Sequence, residues 1–231
     1  MSFRGLFITA TDTGVGKTTV AAAIIGRLRA EGHRVGAYKP AVSGALDLAS
    51  GPSWPDVEIL ASALGEEYPT ERICPQRFLA PLAPPVAARL EGKSVDADLL
   101  RRGIDWWREH ADTLIVEGAG GLLCPLTEHE TIADLAKDLG FPLIVVARAG
   151  LGTINHTLLT LEVAQNRGLR VAGVVLNHAT PHDADDLAAA TNSEELSKRT
   201  TVPVVGVFPY CAAGDLLREE SFRRIDWCAL L

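Results

Sequence analysis

LFITATDTGVGKTT, residues 6–19, is the stretch whose reading decides the fold of this chain. It opens with an apolar run of strand length ending at Thr9. A loop follows from Ala10 to Gly16, then Lys17-Thr18-Thr19, then VAAAIIGRLRAEG, whose composition is helical. Strand, glycine-bearing loop, Lys-Thr and helix form the context that makes a phosphate-binding loop physically reasonable. Backbone N–H groups of the loop (Gly14, Val15, Gly16) and of the helix start (Lys17, Thr18, Thr19) converge on an anion, which the helix dipole favours. Lys17 is placed to reach β- and γ-phosphates, and the Thr18 hydroxyl to ligate Mg²⁺. The pattern GxxxxGK[ST] has one departure, Ala10 in place of the first glycine. Alanine is acceptable there if its φ is negative. The plain alternative is an ordinary strand–turn–helix.

Outward from this stretch, apolar runs alternate with helical segments. Strands are expected at about 6–9, 34–38, 113–116, 142–147, 170–176 and 204–207. Helices are expected at about 17–31, 56–64, 86–91, 96–110, 132–139, 154–167, 183–200 and 216–223. Segment 45–55 is turn-rich and expected to be exposed or mobile. Segment 74–85 carries four prolines and reads as loop or extended chain. Continuous apolar strands, each followed by a helix, define an α/β fold: a single doubly wound, mostly parallel sheet with helices on both faces. One domain over 1–231 is the economical reading. Ligands in such sheets bind beyond the carboxyl ends of the strands, and each motif below begins where an expected strand ends.

Bulk properties narrow the class. A net charge of −7 makes the chain a poor general nucleic-acid binder, which would show a basic face. Four scattered cysteines without a CxxC pair argue against a zinc site or a disulfide framework and fit a reducing cytoplasm. The apolar runs are strand-sized, far short of the roughly 20 residues of a membrane helix, and no secretion signal opens the sequence.

Further groups cluster at strand ends. YKPAVSG places Lys39 and Ser43 after the second strand, beside the phosphate loop. A second lysine there would stabilise charge on a transferring phosphoryl group; otherwise it is a surface lysine. Glu117 ends the third strand and precedes Gly118-Ala119-Gly120-Gly121, which lets backbone approach phosphate. Its alternative is a strand-end carboxylate in a stabilising salt bridge. Asp56 reads equally as a Mg²⁺ ligand or as a helix cap. Gly152, Thr153 and Asn155 open the helix after the fourth strand, as an anion site or as a tight turn with a cap. Asn177, at the end of the fifth strand, suits an adenine edge or a turn. His178 and His182 lack a third ligand nearby in sequence. Trp106 and Trp107 read as core and partly exposed helix residues.

Together, TDTGVGKT, YKPAVSG, VEGAGG, LGTINHTLL and VVLNHATP resemble the dethiobiotin synthetases, in that family's order from residue 11 to about 181. PDVEIL around Asp56 and VFPY at the sixth strand are weaker matches. The resemblance implies a P-loop NTPase fold, with 7,8-diaminononanoate, CO₂ and MgATP as substrates. The substrate amine would take up CO₂ as a carbamate, and the carbamate oxygen would attack the γ-phosphoryl to give a carbamic–phosphoric anhydride. The second amine would close the ureido ring and expel phosphate. By position, Lys17 and Lys39 would hold phosphate and carbamate oxygens, and Thr13 and Ser43 the carbamate and amine end. Thr18, Asp56 and Glu117 would hold Mg²⁺, and Asn177, His178, Pro209 and Tyr210 the adenine. A homodimer is implied, with the turn bearing Gly152, Thr153 and Asn155 receiving the substrate carboxylate across the subunit interface. The departures are Ala10, His178 after Asn177, and the unmatched 45–55 segment.

Two other readings compete. Switch ATPases of the partition and septum-positioning type share a related fold, but usually carry an early loop lysine that ATDTGVGKT lacks. Amidating enzymes with a similar core commonly add a glutaminase domain, for which 231 residues leave no room.

Overall fold

The structure, a computed structural model, describes residues 3–181 and 187–231. Six strands form the central sheet: β1 (Arg4–Ala10), β2 (Val35–Tyr38), β7 (Thr113–Glu117), β8 (Leu143–Arg148), β9 (Val171–Asn177) and β10 (Val204–Phe208). Their spatial order is β10-β9-β8-β1-β7-β2, and every pairing is parallel. All residues of β2 and β7, and all of β1 after Arg4, are buried. Burial at consecutive positions means that both sheet faces are covered, as the unbroken apolar runs require. The helices that cover them include α1 (Lys17–Ala30), α5 (Ala97–His110), α6 (Ile132–Leu139), α7 (Thr153–Asn166) and α8 (Leu187–Ser197).

α5 shows how a helix is fixed on this sheet. The Asp96 side chain caps it by accepting from Leu99 N–H at 2.8 Å. Trp107 is fully buried, and its Nε1 donates to Arg72 O at 3.0 Å. Tyr38 on β2 is equally buried, and its hydroxyl donates to Leu100 O at 3.0 Å. Each ring therefore loses its apolar surface to the core, worth about 1.5–3 kcal/mol for a large side chain, while its polar tip stays satisfied.

Some expectations are refined and others corrected. Segment 45–55 is exposed over residues 46–50, as expected, but it carries regular structure. β4 (Leu46–Leu48) and β5 (Gly51–Ser53) form an antiparallel hairpin leading into α2 (Pro55–Ala63). The proline-rich 74–85 segment contains β6 (Gln76–Phe78), which pairs in parallel with β3 (Ala41–Ser43). A one-turn helix, α3 (Thr70–Ile73), precedes β6, and α4 (Pro84–Leu90) follows it. The helix expected over 216–223 is broken into α9 (Ala213–Leu216) and α10 (Glu220–Arg223), and α11 (Trp227–Leu230) follows. The start of the helix expected at 183, and His182, lie outside the described residues. Among the described residues, no helix is long and apolar enough to cross a membrane.

Candidate active site

β7 lies between β1 and β2, and this one feature assembles the site. Register pairs Ile8 with Glu117 and Tyr38 with Val116. The residue after Tyr38, Lys39, therefore emerges beside Glu117 at the carboxyl edge of the sheet. Lys39 Nζ lies 2.6 Å from Glu117 Oε1 and 2.7 Å from Asp56 Oδ2. The Thr18 hydroxyl donates to the same Glu117 Oε1 at 2.8 Å. Glu117 is fully buried and Lys39 nearly so, whereas the Asp56 side chain, in the first turn of α2, keeps 43% of its exposure.

The loop itself follows from its glycines. Ala10 is the last, fully buried residue of β1, and Glu66 is the one described non-glycine with positive φ. Alanine thus suits the extended backbone at that position. Gly14 and Gly16 turn the chain at φ 71° and 93°. Gly16 is the N-cap of α1 and offers no side-chain cap to the first helical turn. Lys17 follows, and its ammonium donates to Asp12 O at 3.3 Å.

The electrostatics are those of a buried, balanced cluster. Burial works against the Lys39 ammonium, but Glu117 and Asp56 outweigh it and raise its pKa. Burial lowers the pKa of Lys17, with Glu117 and Asp56 opposing and Lys39 assisting. Glu117 Oε2 is buried and has no hydrogen-bond partner among the described residues. Hard oxygen donors from Thr18, Asp56 and Glu117, with one carboxylate oxygen left unpartnered, fit Mg²⁺.

These residues line a cavity of about 760 Å³. Thr13, Gly14, Gly16, Lys17, Thr18, Thr19, Lys39, Ser43, Asp56, Glu117, Ala119 and Gly120 all reach it. Val15 and Gly118 do not. Val15 is buried, and a Cβ on Gly118 would meet Ile132 Cγ2 at 2.9 Å. Ser43 is tied by donating to Leu82 O at 2.6 Å.

Asn177, His178, Pro209 and Tyr210 lie outside this lining. Asn177 is buried and its amide donates to Val15 O at 2.9 Å, so it braces the phosphate loop from the end of β9. His178 N–H donates to Phe208 O at 2.9 Å, and Tyr210 is 57% exposed. Gly152, Thr153 and Asn155 also stay apart from the cavity within one copy. Parts of the wall escaped the sequence reading, Val42 and Ile59 among them. The 81–84 segment and Cys124 both line the cavity. Burial raises the Cys124 thiol pKa against the pull of Lys17. The placement of Cys124 after VEGAGG was its only signal.

A parallel sheet whose central strand feeds a glycine-turned loop and a helix, with a lysine beside a buried carboxylate at the next strand end, defines the P-loop class of nucleotide-binding proteins. The fold is shared with a ParA-family ATPase from Chlorobium tepidum TLS, at a TM-score of 0.58 and 14% identity over all of both chains. A family model described as an AAA domain matches residues 4–215. The ATP-dependent dethiobiotin synthetase BioD of Anaeromyxobacter dehalogenans (strain 2CP-C) is 49% identical over 211 residues, covering 90% of each chain. That of Bacillus cereus (strain B4264) is 43% identical over 216 residues, covering 94% of this chain and 87% of its own. The chain belongs to the dethiobiotin synthetase family.

Proposed function

We propose that this chain carries out the ATP-dependent carboxylation and ring closure of 7,8-diaminononanoate with CO₂, giving dethiobiotin, ADP and phosphate. The observation that carries this reading is the buried Lys39–Glu117–Thr18 cluster at the phosphate loop, in a chain 49% identical to an ATP-dependent dethiobiotin synthetase. The substrate amine takes up CO₂ as a carbamate. The carbamate oxygen attacks the γ-phosphoryl group, ADP leaves, and the second amine closes the ureido ring with expulsion of phosphate.

Such chemistry is mainly positioning and charge neutralisation. Lys17 and Lys39 hold phosphate and carbamate oxygens, with Thr13 and Ser43 at the carbamate and amine end. Thr18, Asp56 and Glu117 hold Mg²⁺, which when bound supplies Lewis-acid charge to the phosphate oxygens. Glu117 Oε1 already receives Thr18 and Lys39, so Oε2 is the oxygen left for the metal. Backbone N–H groups from Gly14 to Thr19 and of Ala119 and Gly120 cradle phosphates, whereas the Gly118 N–H is spent on Ile8 O at 3.0 Å and drops out of the expected set. Asn177, whose amide donates to Val15 O, would stand with His178, Pro209 and Tyr210 at the adenine end of the nucleotide.

The chain acts as one domain, in the cytoplasm, as a homodimer. Support for the dimer is the α7 region, where Leu151 and Leu159 are 87% and 54% exposed next to the turn expected to take the substrate carboxylate. In this reading Gly152, Thr153 and Asn155 complete the partner subunit's site, which accounts for their distance from the cavity of their own chain.

The deciding experiment is phosphate release from MgATP in bicarbonate, with and without 7,8-diaminononanoate, with mass spectrometry of the product. Substrate-dependent release with a ring-closed ureido product is expected. Substrate-independent hydrolysis without that product would move the chain to the switch-ATPase reading, which has only a likeness of fold in its favour.

A further inference from the structure

Far from the cavity, the fold brings together a second set of metal-ligating side chains. α1 closes with a Schellman-type turn in which His33 N–H donates to Leu28 O at 3.1 Å and Gly32 N–H to Arg29 O at 2.9 Å. That turn fixes the backbone carrying Glu31 and His33. α11 packs against α1, seated by the buried Trp227, and the Asp226 side chain caps it by accepting from Ala229 N–H at 3.0 Å. Cys228 Sγ thereby comes to lie 3.0 Å from His33 Nε2. One ligand atom each from Glu31, His33 and Cys228 all lie within 4.8 Å of one another.

We propose that Glu31, His33 and Cys228 form a Zn²⁺ site that pins the C-terminal helix to the end of α1. Thiolate, imidazole and carboxylate are together the donor set of zinc rather than of Mg²⁺ or Ca²⁺. Tetrahedral zinc would hold its sulfur and nitrogen ligands about 3.5 Å apart. From the 3.0 Å seen here, the pair needs to open by only roughly half an ångström. The Glu31 side chain is 35% exposed, so a fourth, water-filled position opens to solvent. Arg27 Nη2 pairs with Glu31 Oε1 at 2.7 Å, which steadies the carboxylate and leaves its other oxygen for the metal. Burial, then Glu31 and Asp226, raise the Cys228 thiol pKa against Arg4 and Arg27. α1, with 14 residues, separates this cluster from the phosphate loop by about 20 Å, so the site is distinct from the proposed Mg²⁺ ligands.

The test is titration of the full chain with Co²⁺ as a spectroscopic probe, followed by displacement with Zn²⁺. A thiolate-to-cobalt charge-transfer band with the intense visible bands of tetrahedral cobalt is expected. Cys228→Ser should abolish the charge-transfer band. His33→Ala should weaken binding at least about tenfold, since losing an outer-shell partner alone typically costs that much. Cys124→Ser, which removes the cavity thiol, should leave the band in place. Zn²⁺ should raise the melting temperature of the parent chain and not that of Cys228→Ser. Absence of a thiolate band, a band that survives Cys228→Ser, or a cobalt affinity unchanged in His33→Ala, would overturn the proposal. If Cys228→Ser fails to fold, His33→Ala, on a surface turn, decides the matter alone.

Discussion

α1 and α7 begin with the same device in different surroundings. Both are 14-residue helices entered through a left-handed glycine with no side-chain cap, Gly16 at φ 93° and Gly152 at φ 91°. At Gly16 a Cβ would lie 2.2 Å from Asn177 Nδ2, whereas at Gly152 its nearest neighbour would be His156 at 3.9 Å. The first helix start faces Lys39 and a fully buried glutamate. The second follows an exposed Leu151 and carries a Thr153–Thr157 hydroxyl pair at 3.4 Å. Uncapped N–H groups supply direction and partial charge in both places. Only at α1 do neighbouring strands add the buried counter-charges and the enclosing wall. A helix start becomes a phosphate site through what the sheet puts beside it.

The comparison breaks most severely at Lys39. Lys39→Ala leaves Glu117 buried without its cation, a change that typically costs about 3–5 kcal/mol. Chemical denaturation should show that loss, and substrate-dependent phosphate release should fall by at least about 100-fold. Adding Glu117→Gln should restore most of the stability and none of the turnover. Unchanged stability in Lys39→Ala would mean the pair is not a buried charge pair.

Next in size is the glycine pair itself. An alanine forced into the left-handed region costs about 1–2 kcal/mol at either site. Only Gly16→Ala also collides with the amide that braces the loop, so it should lose nucleotide binding by calorimetry while Gly152→Ala keeps it. Equal losses would erase the distinction between the two helix starts.

The smallest effect belongs to the exposed edge of the charged cluster. Burial works to raise the Asp56 pKa, but Lys39, Thr18 and Lys17 outweigh it, and the folded value is lowered. Its contribution is therefore present above the ordinary carboxylate range and fades as pH falls toward the folded value. With 43% of the side chain exposed, Asp56→Asn should cost less than about 1 kcal/mol at neutral pH. The gap from the parent should close on acidification in pH-dependent unfolding. A gap that widens instead would contradict the lowered value.

Local features were the legible ones. The phosphate loop, the strand-end placement of Lys39 and Glu117, and the six core strands show in sequence because each is a contiguous run with a period or a turn signal. β3, β4, β5 and β6 are three residues each, too short for any period to show, and β5 and the flanks of β6 carry proline. The break between α9 and α10 lies within a polar run that reads as one helix. Relations across the chain were hidden for a different reason. Nothing in the residues around Asn177 says that its amide bonds Val15, 162 positions away. The same holds for Cys124 in the cavity wall and for Cys228 beside His33, 195 positions apart.

The insertion of β7 between β1 and β2 also bears on how the chain folds. Thr18 and Glu117 are 99 positions apart and Lys39 and Glu117 78, so these contacts close only after large loops have been ordered. No fragment ending before β7 can hold the Lys39–Glu117 pair, and in a nascent chain Asp56 is the one carboxylate of the cluster available to Lys39 until the third core strand docks. Long-range parallel pairing of this kind is slow. Capacity to grip a polyphosphate is thus gained only once β7 has docked, and it is lost when the centre of the sheet opens.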